Sequence, residues 1–232
     1  SVYLFFVIFV CFFLFVNQVN AYDCVSTEAE FQAALNNPDT DNDIRLITGT
    51  YNITNNTVPN THFNTTLNHS LAISGGWKGL CNPPQVDDPS VTILKGGTNQ
   101  TAPGGVLSVA VLENASAATV NLSNLTIQDG SSSLDGGGFY FEHDFTISAV
   151  VATLNISNII SHGNSTAAFG SGIAVSDWGT TGLIVNIEEC IVRDNSVTSP
   201  GGPAGIFMDN NGGKIDVSIS SCQIINNDAA YD

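Results

Sequence analysis

Positive charge is what this 232-residue chain has least of: five Lys and Arg stand against 21 Asp and Glu, for a formal net charge of −16 at pH 7. The five are Arg45, Lys78, Lys95, Arg193 and Lys214, scattered singly along the sequence. Each phosphate contact asks for a cation, so nucleic acid and anionic membrane are excluded as natural partners. Cations are the natural counterpart of such a surface. Long apolar runs are nearly absent too. The exception, Val2 to Val16, is about fifteen residues long, short of the roughly twenty that a membrane span needs.

That run has the character of an export signal. Asn17 to Asn20 follow it, then Ala21, with Val19 two residues before, a small-residue pattern that suits cleavage ahead of Tyr22. An uncleaved N-terminal anchor is the alternative. No Met and no basic segment precede the run, so the natural chain is expected to begin earlier. Residues 1–21 are set aside, and 22–232 are read as one elongated domain of six or seven rungs, expected to continue past Asp232 because a solenoid needs an end cap.

Cysteine is sparse and fits export. Apart from Cys11 in the apolar run, the chain has Cys24, Cys81, Cys190 and Cys222. Cys24 opens the mature chain and Cys81 sits in a Gly/Pro-rich stretch, so a disulfide between them, tying the N-terminal cap to the first rungs, is expected in an oxidising compartment.

What the sequence does have is a repeat. Val120 to Ile127, Leu154 to Ser161, Val185 to Val192 and Val217 to Ile224 align without gaps, at intervals of 34, 31 and 32 residues. In each copy an alternating apolar pair, two polar residues and a second alternating pair succeed one another, which predicts two short strands joined by a turn that resets inward parity. A third strand follows a glycine cluster: Gly136 to Phe141, Gly170 to Val175, Pro203 to Met208. Three strands per repeat, with no helical periodicity between them, can bury their inward faces only by stacking repeat on repeat. The prediction is an all-β, three-sided parallel β-helix.

Strands ending in Asp194-Asn195-Ser196 or Gly163-Asn164-Ser165, each followed about ten residues on by a glycine-led apolar strand, resemble the repeats of chlamydial polymorphic outer membrane proteins. More broadly they are similar to secreted right-handed parallel β-helix repeat proteins of the pectin-lyase-like fold. The resemblance implies a right-handed coil and leaves activity open, since lyases, hydrolases and adhesins share that fold. A capping helix, a first strand and a Gly-x-Tyr turn are common in those families. Here Ser26 to Leu35 has an N-cap candidate at Ser26 or Thr27 and apolar Phe31, Ala34 and Leu35 at helical spacing. Ile44 to Ile47 and Gly49-Thr50-Tyr51 follow it.

Leu71 to Trp77, Val91 to Gly97 and Leu107 to Leu112 are further strands, and Asn52 to Ser70 is read as a long loop. Core positions are predicted at Val120, Leu122, Leu125, Ile127, Leu154, Ile156, Ile159, Val185, Ile187, Val192, Val217, Ile219 and Ile224. Cys190 and Cys222 occupy equivalent inward places. Stacked strands lie about 4.8 Å apart, wider than the 3.5–4.5 Å between Cβ atoms that a disulfide prefers at about its best geometry, so both are read as buried thiols.

Ten N-x-Ser/Thr sequons stand at Asn52, Asn55, Asn64, Asn68, Asn99, Asn114, Asn121, Asn124, Asn155 and Asn164. In an exported protein they are candidate glycan sites, although Asn, Ser and Thr are also what β-helix turns require. Asn121 and Asn155 are expected to face solvent and stack. Asp39, Asp41 and Asp43 alternate, but an EF-hand would need Gly at Ile44 and Glu at Thr50. A solvated turn is therefore expected there, an irregular Ca²⁺ site being the alternative, and no cofactor is expected. Asp209 to Gly212 and Asp87-Asp88 are read as turns.

Lyases that cut uronates need a basic residue beside acid-bound cations, and hydrolases need clustered aspartates. The predicted outward positions are Asn121, Thr126, Tyr140, Asn155, Ile160, Ala174, Asn186, Ile191, Phe207, Ser218 and Gln223, none of them ionisable near neutral pH. Ser161-His162-Gly163 is similar to the His-Gly motif of polygalacturonases, whose companion elements are missing from these residues. His162 is read as a turn residue, and His143 and His69 as loop residues without partners.

The expectation is a non-catalytic secreted or cell-surface protein, adhesive or structural and N-glycosylated, meeting extracellular glycans, other surface proteins or further copies of itself. The alternatives are a polysaccharide lyase or hydrolase with catalytic rungs outside this stretch, and a glycan-binding module stacking sugars on Trp77, Tyr140, Trp178 and Phe207.

Overall fold

Two backbone states build the four repeats from Val120 onward. Extended segments point alternate side chains inward, and single residues in the left-handed region bend the strand so that the next apolar pair also points inward. Asn124, Asn158, Glu189 and Ser221 form one column of such corners, with φ of 56°, 50°, 55° and 55°. Asp129, Gly163, Asp194 and Asn226 form the next, with φ of 56°, 65°, 53° and 52°. Asn, Asp and Gly carry this conformation at least cost. The polar pair between apolar pairs in each repeat is the imprint of the first corner.

The computed structural model describes residues 22–37, 42–53, 62–97, 104–112, 118–144, 151–200 and 202–230. A strand β1 (Tyr22–Val25) precedes helix α1 (Glu28–Leu35). Successive turns then run β2 (Asn42–Ile47), β3 (Gly49–Asn52) and β4 (Phe63–Leu67); β5 (Leu71–Trp77), β6 (Thr92–Lys95) and β7 (Leu107–Val111). Next come β8 (Thr119–Gln128), β9 (Ser131–Ser132) and β10 (Phe139–His143), then β11 (Ala152–His162), β12 (Ser165–Thr166) and β13 (Ile173–Asp177). After these come β14 (Leu183–Glu188), β15 (Ile191–Arg193), β16 (Ser196–Val197) and β17 (Ile206–Asn210), and finally β18 (Ile215–Ser220), β19 (Gln223–Ile225) and β20 (Asp228–Ala229).

All pair in parallel, in three sheets. The first follows β1-β2-β5-β8-β11-β14-β18, with β3, β6, β15 and β19 continuing it beyond the first corner. The second is β4-β7-β10-β13-β17 and the third β9-β12-β16-β20. The result is a right-handed parallel β-helix of about five turns with one short helix near its N-terminus. Thr27 is the N-cap of α1: its hydroxyl accepts from the Glu30 amide while Glu30 accepts from the Thr27 amide. The buried Phe31, Ala34 and Leu35 close the end of the core, Phe31 packing 4.6 Å from Phe63 between ring centroids.

The predicted columns hold. Val120, Leu154, Val185 and Val217 are in register, as are Leu122, Ile156, Ile187 and Ile219. All are buried in the first three copies, but Val217, Ile219 and Ile224 are 47%, 45% and 48% exposed. These three keep their inward places; among the described residues no rung stacks on β18 and β19 to cover them. Cys222 is for the same reason half-buried rather than buried, while Cys190 is buried as expected.

Three other expectations are corrected. The stretch expected to loop from Asn52 to Ser70 contains strand β4, whose middle inward residue is Thr65 rather than a hydrophobe. Its hydroxyl donates to the Leu35 carbonyl at 2.6 Å, which lets a polar side chain be buried. Thr126, Tyr140 and Ala174, expected outside, are buried. Thr126 lies under the 78–91 excursion and donates to the Pro89 carbonyl at 2.9 Å. Glycine turns overlie the other two: a Cβ on Gly136 would sit 2.8 Å from that of Tyr140, and one on Gly170 2.8 Å from that of Ala174. Finally, Asp209 belongs to β17 rather than to a turn.

Candidate functional site

The outward face of the second sheet gathers the chain's chemistry. Its register sets Ser108, Tyr140, Ala174 and Phe207 in one column, and Ala110, Glu142, Ser176 and Asp209 in the next. Phe169, from the turn after β12, stacks on Phe207 with centroids 4.9 Å apart and planes 22° from parallel, and it is 41% exposed. From the turn before β10, Asp135 accepts the Phe169 amide at 3.1 Å, joining the aromatic ledge to the acids.

Electrostatically this face is one-signed. Burial, and secondarily repulsion from Asp209, raises the Asp135 pKa against the opposing hydrogen bond from Phe169. Burial and then Asp144 raise that of Glu142. The Tyr140 hydroxyl, paired with the Ser176 side chain, is pushed up to about 12 by burial first and by Glu142, Asp135 and Asp209 after it. Four of the five basic residues are engaged elsewhere: Arg45 with Asp43, Lys95 with Asp129, Arg193 with Asp194 and Lys214 with Asp216. Glu142 and Asp209 flank Ser176 two rungs apart, roughly 10 Å between Cα atoms at about 4.8 Å per rung.

Sequence reasoning missed Glu142 and Asp209. The signal was the alternation itself, since each lies two residues past an outward position, Tyr140 and Phe207, on a strand one pair longer than expected. Asp135 and Phe169 lie in turns, where sequence spacing says nothing of proximity.

Other candidate residues are placed differently. Trp77 is no open platform: the Arg45 guanidinium lies between it, at 4.4 Å, and Tyr22, at 3.9 Å. Trp178 is half exposed, on the turn after β13 and away from the Phe169–Phe207 stack in the register. His143, expected in a loop without a partner, is an inward residue of β10, and its Nδ1 lies 2.6 Å from Asp177 Oδ1 with both side chains fully buried. His162 ends β11, in register with Gln128 and Arg193. Burial, then Arg193, lowers its pKa. His69 sits beside Asn68 Oδ1 at 2.9 Å.

Cys24 and Cys81 form a disulfide with Cα atoms 5.6 Å apart. Asn52, Asn64 and Asn68 are exposed, and Asn121 and Asn155 half-buried. The last two stack as expected, Asn155 Nδ2 donating to Asn121 Oδ1 at 2.8 Å and Asn186 continuing the ladder at 2.9 Å. Asn124 and Asn164 are both buried with their amides committed, Asn124 to the Gly75 and Val86 carbonyls and Asn164 to the Ile127 carbonyl and to Asn195. Asn55, Asn99 and Asn114 lie outside the described residues, as do Asp39 and Asp41. Asp43 binds Arg45 through both Nε and Nη2. Among the described residues no group of three or more His, Cys, Asp or Glu is placed to hold a metal ion.

Compared with known proteins, the chain matches no family model, no curated protein and no solved structure. Its class is that of the β-solenoids, defined by fold alone.

Proposed function

We propose that this chain is a non-catalytic secreted or cell-surface β-helix with an adhesive role, N-glycosylated on exposed sequons, and that it meets extracellular glycans or surface proteins through the outward face of its second sheet. The observation that carries this reading is the Phe169–Phe207 stack, an aromatic ledge standing on a rigid parallel sheet. Exposed aromatic surface on a rigid platform gives binding area at little entropic cost. The neighbouring acids disfavour anionic polymers such as polyuronates and favour neutral or cationic partners. A glycan array probed with the full chain tests it. Saturable binding to neutral glycans, weakened about tenfold or more by Phe169→Ala, is expected; binding unaltered by Phe169→Ala and Phe207→Ala together would remove the face from consideration.

One observation favours a second reading. Glu142 and Asp209 flank a hydroxyl from rungs on either side, a paired-carboxylate arrangement of the kind glycosidases use, and the raised pKa of Glu142 suits an acid. Turnover of a neutral glycan abolished by Glu142→Gln would establish that reading in place of the first.

A further inference from the structure

We propose that Cys190 and Cys222 are a redox pair, two thiols convertible into a disulfide that clips the β14–β15 corner to the β18–β19 corner. Register places them side by side. Val185 and Ile187 pair with Val217 and Ile219 on one flank, and Ile191 and Val192 with Gln223 and Ile224 on the other. Their Cα atoms are therefore one rung apart, about 4.8 Å, inside the roughly 4.4–6.8 Å range of disulfide Cα separations. In this column the two preceding rungs carry Leu125 and Ile159, both buried, so packing alone needs no sulfur at either place.

Local geometry also links the two residues directly. The Cys190 amide donates to Cys222 Sγ at 3.4 Å, and Cys222 Sγ reaches the Ile187 carbonyl at 3.6 Å, so the Cys222 thiol is turned toward the rung that carries Cys190. Cys190 is buried, and burial pushes its thiol pKa up to about 12, so Cys190 is a slow first nucleophile. The Cys24–Cys81 disulfide belongs to a compartment where small disulfides are the available oxidants.

The conversion is a pair of thiol–disulfide exchanges. The Cys222 thiolate attacks one sulfur of oxidised glutathione, the glutathione S–S bond breaks, and one glutathione leaves as a thiolate that takes up the Cys222 proton. Cys190 then gives up its proton, its sulfur attacks Cys222 Sγ, the mixed S–S bond breaks, and the second glutathione leaves as a thiolate that takes up that proton. Two protein thiols are oxidised and one glutathione disulfide is reduced to two thiols.

The test uses the full chain, natively folded with Cys190 and Cys222 as thiols, exposed to oxidised glutathione, then alkylated and mapped by mass spectrometry. The expected product is an intramolecular Cys190–Cys222 bridge, lighter by two hydrogen atoms, with Cys24–Cys81 intact as internal reference. Cys190→Ser should stall the reaction as a glutathione adduct on Cys222, and Cys222→Ser should leave Cys190 unmodified. Persistent free thiols in the wild-type chain, a lasting adduct on Cys222 beside a free Cys190, or a bridge only between two molecules would each overturn the proposal. The wild-type map decides the matter even if a variant fails to fold.

Discussion

Asn164 Nδ2 donates to Asn195 Oδ1 at 3.0 Å, and Asn195 repeats the bond onto Asn227 at 2.9 Å. Each Asn also accepts the backbone amide of the one before it, at 3.0 and 3.2 Å. This internal ladder occupies the position just after the second left-handed corner, where a turning backbone would otherwise leave buried amides unpaired. Asn227 closes the series by donating to the Val192 carbonyl at 2.9 Å.

Asn195→Ala should therefore cost far more than its size suggests. It strands the Asn164 backbone amide, removes one of the acceptors of the Asn164 side chain, and takes a donor from the Ser161 carbonyl, which accepts from Asn195 Nδ2 at 3.1 Å. With unsatisfied buried groups costing about 1–3 kcal/mol each, a loss of about 3 kcal/mol or more is expected in urea unfolding. Asn195→Asp should do no better, since a carboxylate cannot donate to Ser161. A loss below about 1 kcal/mol would show that water enters the ladder freely.

Glu189 makes the opposite case. It is exposed and sits at φ 55°, in a column where the earlier repeats place Asn124 and Asn158. A non-Gly residue in this region is strained by about 1–2 kcal/mol, and Asn less so. Glu189→Asn is expected to raise stability by about 0.5–1 kcal/mol and Glu189→Val to lower it by about 1–2 kcal/mol. Equal midpoints for all three proteins would mean the corner relaxes out of the left-handed region.

The corners explain what was legible in the sequence. Val120 to Ile127 and its copies announce strands and turn together, because alternation and the polar pair both follow from one geometry. Phe63 to Leu67 does not, because Thr65 fills an inward place with a hydrogen bond in place of apolar bulk. Tyr140 and Thr126 look outward by parity and are buried by turns and an excursion whose path no periodicity encodes. The Phe169–Phe207 ledge was hidden likewise, half of it in a turn.

A pH dependence follows from the buried His143. Burial lowers its pKa, and Asp177 and Asp144 oppose that shift without cancelling it. The unfolded chain thus takes up a proton near pH 6.5 that the folded chain refuses, so stability is full above about that pH and falls as the pH drops below it. His162 shifts the same way, while Asp135 and Glu142, raised in the fold, gain stability on acidification. Comparison with His143→Asn separates them. The wild-type chain should lose more stability between pH 7.5 and 5.5 than the variant does, in paired urea titrations at each pH. Parallel lines would assign the slope to other groups.

Glycan occupancy should divide the sequons by burial rather than by motif. Asn52, Asn64 and Asn68 are exposed at the edges of β3 and β4, where a sugar on Nδ2 meets solvent. On Asn124, whose Nδ2 lies 2.6 Å from the Val86 carbonyl and 3.0 Å from that of Gly75, a glycan would displace both acceptors and lift the 78–91 excursion off the corner. On Asn164 it would break the internal ladder. Chain secreted from a host that attaches N-glycans, deglycosylated enzymatically in heavy-oxygen water and mapped by mass, should carry the label at Asn52, Asn64 and Asn68 and none at Asn124 or Asn164. Label at Asn164 in folded, secreted protein would contradict the ladder itself, because no glycosylated amide could fill that buried position.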